Sequence, residues 1–247
     1  MQKVELGKTG LWVSKLAMGM DTRVGANFGG RLLKRAFELE VNFWDTSDDY
    51  GTHPAVREGL RGLDRAEVVL ATKTYTKDTK EAAKSVERAL KDFDTDYVDL
   101  FHLHAVDTAA DMERRQDVLN ALVRAKEKGL IRAVALSSHS VEGVRTAART
   151  SEIDAILAVI NKTGGRMHGP GGMEEMLGAV REAYEAGKGI YAMKVLARGN
   201  LAKDVESALG YVLQQPFVHS ASVGMKTLEQ LEQNVAITNH VLAEAHA

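Results

Sequence analysis

Four titratable side chains stand at or just beyond the ends of three successive apolar runs in this chain of 247 residues. Asp45 ends the first run and Tyr50 follows it, Lys73 ends the second run, and His104 ends the third. If these runs are parallel strands separated by helices, their carboxyl ends point towards one shared face. An acid, a phenol, an amine and an imidazole would then meet in space, which predicts a site for proton transfer.

Tyr50 and Lys73 form the pair with the most direct chemical meaning. A free phenol has a pKa of ~10 and is a weak acid at neutral pH. An ammonium group about 4 Å away would stabilise the phenolate by ~4 kcal/mol at an effective dielectric of 20. We therefore expect Lys73 to bring the pKa of Tyr50 close to neutral. We expect Asp45 to keep Lys73 charged and His104 to bind a substrate oxygen or assist the proton relay.

Each of these four residues also has a structural interpretation. Asp45 could cap the following helix, and Tyr50 could be a turn aromatic. Lys73 could be solvated at a strand end, and His104 could be a core histidine. A proton-transfer site requires all four functional interpretations to coincide at consecutive strand ends, which is why the set is more informative than any member.

The elements that would position these residues follow a regular order of strand-like and helix-like segments. Several of the apolar runs are rich in Val, Ile, Leu and Ala, as expected for strands buried on both faces. Amphipathic segments separate the runs, and no linker or low-complexity stretch interrupts them. The spacing of Asp78 with Glu81, and of Thr227 with Gln230, predicts capping contacts at two helix starts. After the seventh run, we expect the next helix to begin at Ala202. We count eight runs, at 15–20, 42–46, 68–73, 97–104, 131–137, 155–161, 189–196 and 221–225.

Eight strand–helix units in about 250 residues predict a (β/α)8 TIM barrel formed by one domain, residues 1–247. The segment 4–13, with a turn at Gly7–Gly10, predicts a β-hairpin that closes the bottom of the barrel. A doubly wound fold would instead require a Gly-rich fingerprint after the first strand. Residues 18–21 do not provide it.

Composition excludes several classes of function. The net charge of -2 gives no basic surface for nucleic acid or acidic membrane, and the absence of cysteine excludes disulfides and thiolate metal sites. No run approaches the ~20 apolar residues of a membrane helix, and the N-terminus lacks the apolar stretch of a signal peptide. We expect a cytoplasmic protein without a metal. The sequence leaves its oligomeric state open, with a monomer as the default.

Five segments of the chain, taken in order, resemble the aldo-keto reductase family. They are LGKTGL at 6–11, NFWDTSDDYG at 42–51, DYVDL at 96–100, GLIRA at 129–133 and GMKTLEQLEQN at 224–234. The resemblance implies a (β/α)8 barrel that reduces carbonyl compounds with NADPH. It maps the catalytic roles of that family onto Asp45, Tyr50, Lys73 and His104, and the strand motif favours His104 over the rival His102.

The same resemblance implies a set of residues that hold the nicotinamide cofactor. Departures from the family pattern are Ser138 in place of Asn, Leu157 near the position of a Gln, Met193 in place of an aromatic residue, and Gln230 in place of Arg. Lys226, beside a helix N-terminus, could pair with the 2′-phosphate of NADPH or be an exposed lysine, and NADH also remains possible. The implied set is Met20, Asp21, Asp45, Ser137, Ser138, Asn161, Met193, Lys194, Leu196, Arg198, Gly199, Gly224, Met225, Lys226, Gln230, Gln233 and Asn234.

The first hypothesis is therefore a nicotinamide-dependent oxidoreductase that reduces the carbonyl group of a small aldehyde or ketone. A second is a lyase or aldolase in which Lys73 or Lys194 forms a Schiff base. A third is a non-catalytic barrel that binds a nucleotide, since the departures weaken the cofactor site.

Overall fold

Eight parallel strands form a closed barrel in the computed structural model, which describes residues 1–21 and 24–244. The ten strands of the described chain are β1 (Lys3–Glu5), β2 (Trp12–Ser14), β3 (Leu16–Gly19), β4 (Phe43–Asp45), β5 (Val69–Thr74), β6 (Val98–Leu103), β7 (Ile131–Ser138), β8 (Ala155–Val159), β9 (Gly189–Met193) and β10 (Ser220–Gly224). Strands β3 to β10 follow one another around the barrel, and β10 pairs with β3 to close it. Each of the eight predicted runs overlaps one barrel strand, with three strands extending one residue beyond the run, so the predicted (β/α)8 fold is confirmed.

Helices connect the barrel strands on the outside. Those of the described chain are α1 (Ala26–Glu38), α2 (His53–Leu60), α3 (Thr79–Phe93), α4 (Ala109–Arg114), α5 (Gln116–Glu127), α6 (Val141–Arg149), α7 (Met173–Glu185), α8 (Val205–Leu213) and α9 (Leu228–Glu244). At the start of α3, the Asp78 carboxylate accepts a hydrogen bond of 2.9 Å from the Glu81 N–H, as its capping spacing predicts. Within the described residues, no helix is both long enough and apolar enough to span a membrane.

The strands β1 and β2 form the predicted hairpin, which covers the amino end of the barrel. Its side chains Leu6, Leu11 and Val13 are buried in the same apolar cluster as the residues that fill the barrel interior. Gly7 has a φ of +58°, and an added Cβ would lie 2.3 Å from the backbone nitrogen of Gly189. Only glycine therefore allows the turn to approach the barrel this closely.

The apolar core of the protein has two layers. The larger layer lies between the strands and the helices, and the smaller fills the barrel interior above the hairpin. The interior layer includes Phe43, Leu100 and Tyr191, all fully buried. Because apolar side chains and the hairpin close the amino end, polar side chains converge at the carboxyl end.

Candidate active site

A buried ion pair joins the ends of β4 and β5. The ammonium group of Lys73 donates a hydrogen bond of 2.7 Å to Oδ1 of Asp45 and one of 2.5 Å to the carbonyl oxygen of Thr46. Lys73 is only 1% exposed, so both charges are shielded from water. Burial raises the pKa of Asp45, and the charge of Lys73 opposes that rise. The pairing expected between these two residues is present.

Tyr50 lies beside this pair, on the loop that follows β4. The Lys73 nitrogen is 5.3 Å from the centre of the Tyr50 ring, which is a cation–π distance. The pKa of Tyr50 is nevertheless raised above its usual value, first by burial and then by the negative charge of Asp45. Our expectation of a lowered pKa was wrong, because it left out the desolvation of the phenol and the repulsion between the Asp45 carboxylate and a phenolate.

His104 is the fourth residue of the predicted set and lies next to Tyr50. Its Nδ1 lies 3.1 Å from Oγ of Ser47, and Ser47 donates its one hydrogen to Asp49 at 2.5 Å. Nδ1 of His104 is therefore the donor in that contact, which leaves Nε2 as an acceptor. Burial, followed by the charge of Lys73, lowers the pKa of His104 to about 2, so this imidazole is neutral. The ring of Tyr75 stacks on it at 3.9 Å.

His102, the rival imidazole, lies deeper in the barrel and contacts a different partner. Its Nδ1 donates to the carbonyl oxygen of Thr72 at 3.0 Å, so its Nε2 accepts a hydrogen bond of 2.7 Å from the hydroxyl of Tyr191. That hydroxyl is also 3.1 Å from Oδ1 of Asp45. Burial lowers the pKa of His102 to about 3. A buried chain of polar contacts thus runs from His102 through Tyr191 to the Asp45–Lys73 pair.

A cavity of about 850 Å³ opens at the carboxyl end of the barrel, with Asp45 and Tyr50 in its lining. Most residues of the implied cofactor set also line it: Met20, Asp21, Met193, Lys194, Leu196, Arg198, Gly199, Gly224, Lys226, Gln230, Gln233 and Asn234. Lys194, Arg198 and Lys226 bring positive charge to the cavity, and Lys194 lies 3.5 Å from the carboxylate of Asp21. The volume falls in the upper part of the ~300–1,000 Å³ range of cofactor sites.

Four residues of the implied set are not among the described residues that line this cavity. Oγ of Ser137 accepts from the Ala105 N–H at 2.8 Å, and Oγ of Ser138 donates to the Asp107 carboxylate at 3.1 Å. The side chain of Asn161 donates to the Gly165 carbonyl within its own loop, and Met225 is fully buried. The polar atoms of the first three thus have protein partners.

The loop after β9 brings Lys194 and Arg198 to the cavity through an unusual backbone. Lys194, Ala197 and Arg198 all have positive φ, at 58°, 45° and 57°. Such strain in residues other than glycine is concentrated at functional sites. We expected Ala202 to begin the next helix, but α8 begins at Val205. The loop is longer because a 3₁₀ turn at Ala197–Gly199 precedes the helix.

Gln230 contributes to the geometry of the loop before α9. Its side chain accepts a hydrogen bond of 2.7 Å from the Lys226 N–H, and its own N–H donates to Oγ1 of Thr227 at 3.1 Å. The predicted capping box is present in altered form, since the glutamine reaches Lys226 and not the N–H of Thr227. Gln230 thus fixes the backbone that presents Lys226 to the cavity.

Comparison with known proteins identifies the family. The model of the aldo/keto reductase family matches residues 17–207, which is more than half of the chain. The chain belongs to the aldo/keto reductase family. It is therefore an oxidoreductase of a family whose members generally use nicotinamide cofactors, in agreement with the resemblance described above.

Relatives of this aldo/keto reductase include enzymes with full-length and with partial matches. L-galactose dehydrogenase of Arabidopsis thaliana is 24% identical over 96% of this chain and 88% of its own length. Probable aldo-keto reductase 1 of Glycine max is 31% identical, but the match covers 63% of this chain and half of that protein. A solved aldo-keto reductase structure from Pseudomonas aeruginosa superimposes with a TM-score of 0.83, at 29% identity, covering 97% of this chain and 96% of that one.

Sequence reasoning missed several residues that surround the site of this aldo/keto reductase. Tyr191 lies in an apolar run, where alternation predicts burial but not a hydrogen bond to a carboxylate three strands away. Tyr75 and Ser47 contact His104 and belong to loops. Arg115 is 4% exposed and donates to the carbonyl oxygens of His104 and Thr74, both at 2.7 Å. Arg115 therefore holds together the chain just after β6 and the end of β5. Sequence spacing could not predict this role, because it depends on segments that meet only in the folded protein.

Proposed function

We propose that this protein reduces the carbonyl group of a small aldehyde or ketone to an alcohol, with NADPH as the reductant. One observation carries the proposal: Tyr50 lines a cofactor-sized cavity beside a buried Lys73–Asp45 ion pair. A protonated phenol at this position can supply the proton that an alkoxide needs. The buried charge behind it stabilises negative charge that develops only in the transition state.

The residues of the cavity suit a nicotinamide dinucleotide. The cavity extends from Asp45 and Tyr50 to Gln233 and Asn234 on α9. The cations Lys194, Arg198 and Lys226 in its lining fit the negative charge of a pyrophosphate. Met193, which is 8% exposed, provides an apolar surface for a planar ring. In the bound state a reduced nicotinamide would supply hydride to the carbonyl carbon.

Tyr50 is proposed as the general acid of this reaction. Burial and the neighbouring carboxylate Asp45 raise the pKa of its phenol, so the phenol retains its proton at neutral pH. This protonation state is the one needed for reduction, whereas alcohol oxidation would need a phenolate base. The raised pKa therefore keeps the phenol, at neutral pH, in the protonated form that reduction requires.

Lys73, Asp45 and His104 have supporting roles in this proposal. Asp45 holds the Lys73 ammonium at 2.7 Å, and Lys73 would stabilise the phenolate that remains after proton transfer. His104 is neutral, and its Nε2 is an acceptor. It would therefore accept a hydrogen bond from the product hydroxyl or from Tyr50, and would not serve as a cationic acid.

Two measurements test the proposal together. Fluorescence titration of the protein with NADPH and with NADH measures cofactor binding. The loss of reduced-nicotinamide absorbance in the presence of a panel of aldehydes measures turnover. We expect micromolar binding of at least one cofactor and consumption that depends on the aldehyde. Failure of both cofactors to bind at micromolar concentrations would refute the proposal.

The two alternative functions have distinct outcomes in the same assays. A Schiff-base enzyme would be trapped covalently by borohydride with a carbonyl substrate, but the Lys73 nitrogen is already occupied by Asp45 and by the Thr46 carbonyl. A nucleotide-binding barrel without catalysis would bind NADPH and turn over no aldehyde. The intact set of Asp45, Tyr50, Lys73 and His104 is the reason to favour the reductase.

A further inference from the structure

Three loops meet at the carboxyl ends of β6, β7 and β8. Asp107 follows β6, His139 follows β7, and His168 lies in the long loop between β8 and α7. One carboxylate oxygen of Asp107 and one ring nitrogen of each histidine all lie within 4.8 Å of one another. The three residues are not among the described residues that line the cavity, so they form a cluster separate from it.

The spacing of these atoms matches the spacing of metal ligands. Nδ1 of His168 is 2.8 Å from Oδ2 of Asp107, and Nδ1 of His139 is 3.7 Å from Oδ1 of the same residue. Two atoms that bind one zinc ion at about 2.1 Å lie roughly 3.4 Å apart in tetrahedral geometry. The observed distances lie on either side of that value, so small side-chain rotations would bring the three groups around one ion.

The second observation is a buried nitrogen without a partner. Nδ1 of His139 is shielded from solvent and makes no hydrogen bond to any described residue. Its distance of 3.7 Å from Asp107 is too long for a hydrogen bond. Buried polar atoms are almost always paired, so an orphan of this kind requires an explanation. A cation bound in the plane of the His139 ring would supply the missing partner of this nitrogen.

The surroundings hold the candidate ligands in place. Oδ1 of Asp107 accepts hydrogen bonds from the His139 N–H at 2.7 Å and from the Ser138 hydroxyl at 3.1 Å. The backbone N–H of His168 donates to the His139 carbonyl at 2.9 Å, and the two imidazole rings stack with centroids 4.5 Å apart. Outer contacts of this type orient the first ligands of metal sites. The carboxylate still has lone pairs available for a metal.

We propose that Asp107, His139 and His168 bind a divalent transition metal ion such as Zn²⁺. Two imidazoles and a carboxylate form a ligand set that suits zinc and related metals, with the remaining position open to water. Binding through Nδ1 of His168 would require the ring proton to lie on Nε2, because Nδ1 now donates to Asp107 and a metal-bound imidazole is neutral. The ion would link the loops after β6, β7 and β8, and would fix the segment 161–172 without contacting the proposed reacting groups.

Zinc titration of the full chain by calorimetry, after treatment with a chelator, tests this site. We expect one equivalent to bind, and His168→Ala to weaken that binding at least about tenfold. His168 is exposed, so this substitution should leave the fold intact; His139→Ala provides the second ligand deletion. His240→Ala is the matched control, because His240 is equally exposed on α9 and lies beside Glu206 and Glu244.

Hydrogen exchange gives a readout that is independent of catalysis. Zn²⁺ should slow exchange in residues 161–172 of the unmodified protein and of His240→Ala, but not of His168→Ala. Absence of stoichiometric binding would overturn the proposal. So would an affinity that His168→Ala and His139→Ala leave unchanged, because zinc would then bind elsewhere.

Discussion

Two buried carboxylates, one near the amino end of the barrel strands and one at their carboxyl end, have opposite environments. Asp99, near the start of β6, accepts hydrogen bonds from Arg65 at 2.7 Å, from Arg132 at 2.9 Å and from the Leu70 N–H at 2.9 Å. Both of its oxygens are used. Asp45 accepts a hydrogen bond from Lys73 on Oδ1, which also lies 3.1 Å from the Tyr191 hydroxyl, and no donor within the described part of the chain reaches its Oδ2.

The difference shows how one barrel separates stability from chemistry. At the amino end, cations and backbone donors saturate the carboxylate, and an apolar hairpin covers the barrel. At the carboxyl end, a single lysine balances the carboxylate, and both lie against a cavity. Buried charges beside a cavity reduce the stability of the folded protein, because burial penalises every ion that is not fully paired. That cost is expected where the charges serve the reaction.

The largest effect on turnover in a variant that keeps its stability should come from Tyr50→Phe. Removal of a general acid typically lowers turnover by about 10²–10⁴-fold, and the phenyl ring should preserve the packing beside Lys73. Binding of NADPH, measured by fluorescence titration, should be unchanged. Tyr75→Phe is the control, since Tyr75 also contacts His104 but is 47% exposed. Turnover retained by Tyr50→Phe would remove this residue from the role of acid.

Lys73→Met and Arg65→Met each remove one cation partner of a buried carboxylate, Asp45 at the carboxyl end of the barrel and Asp99 near its amino end. Deletion of one partner of a buried ion pair costs about 3–5 kcal/mol, so Lys73→Met should be strongly destabilising and inactive. Arg65→Met leaves Asp99 with Arg132 and the Leu70 N–H, and should cost about 1–3 kcal/mol. Chemical unfolding and turnover are measured on both variants. Comparable losses of kcat in the two would contradict the separation, since Arg65 lies far from the cavity lining.

Tyr191→Phe should have an intermediate effect. It leaves Nε2 of His102 without its 2.7 Å donor and removes the 3.1 Å contact to Asp45. An unsatisfied buried group costs about 1–3 kcal/mol, which chemical unfolding would detect. Turnover should fall less than in Tyr50→Phe, because Tyr191 acts only through Asp45. Tyr184→Phe, at a position 43% exposed, should change neither quantity. Unchanged stability in Tyr191→Phe would show that the Tyr191 hydroxyl makes no stabilising hydrogen bond to His102 or Asp45.

The sequence predicted the parts of this molecule that follow from local pattern. Eight apolar runs predicted the eight strands, and the glycine-rich turn predicted the hairpin. The ends of consecutive strands predicted that Asp45 and Lys73 would meet, because parallel strands align their ends without reference to side chains. The capping residue Asp78 could also be predicted, because capping depends only on positions that are neighbours in sequence.

Contacts that depend on packing between distant loops could not be predicted in this way. The raised pKa of Tyr50 depends on desolvation, which no spacing encodes. The cluster of Asp107, His139 and His168 joins three loops, one of them rich in glycine. The internal partners of Ser138 and Asn161 likewise arise from loop geometry. These examples show that sequence pattern specified the framework and its strand ends, whereas loop packing set the local electrostatics.

Lys226→Ala should produce a modest and selective change. Lys226 is an exposed residue in the cavity lining, so its pairing with a phosphate would contribute about 1 kcal/mol, or roughly fivefold in affinity. We expect NADPH to bind more weakly while NADH binding is unchanged, as measured by fluorescence titration. Lys203→Ala is the control for a general loss of positive charge, because Lys203 is also exposed but is not among the described residues of the lining. Equal losses for both cofactors would exclude a 2′-phosphate role.

The smallest effect should be that of pH on reduction. The pKa values of His104 and His102 are lowered to about 2 and about 3, so neither imidazole gains a proton as pH falls from 9 to ~6. The pKa of Tyr50 is raised, so the phenol does not lose its proton over the same interval. We therefore expect kcat/KM to vary by less than about twofold across this range. An exposed histidine acid would instead produce a step near pH ~6.5, and a phenol activated by Lys73 alone would produce a loss of activity towards alkaline pH. Either of these changes in kcat/KM would show that the groups at the carboxyl end are less shielded from water than their burial indicates. The contrast between the environments of Asp45 and Asp99 would then no longer explain where the chemistry takes place.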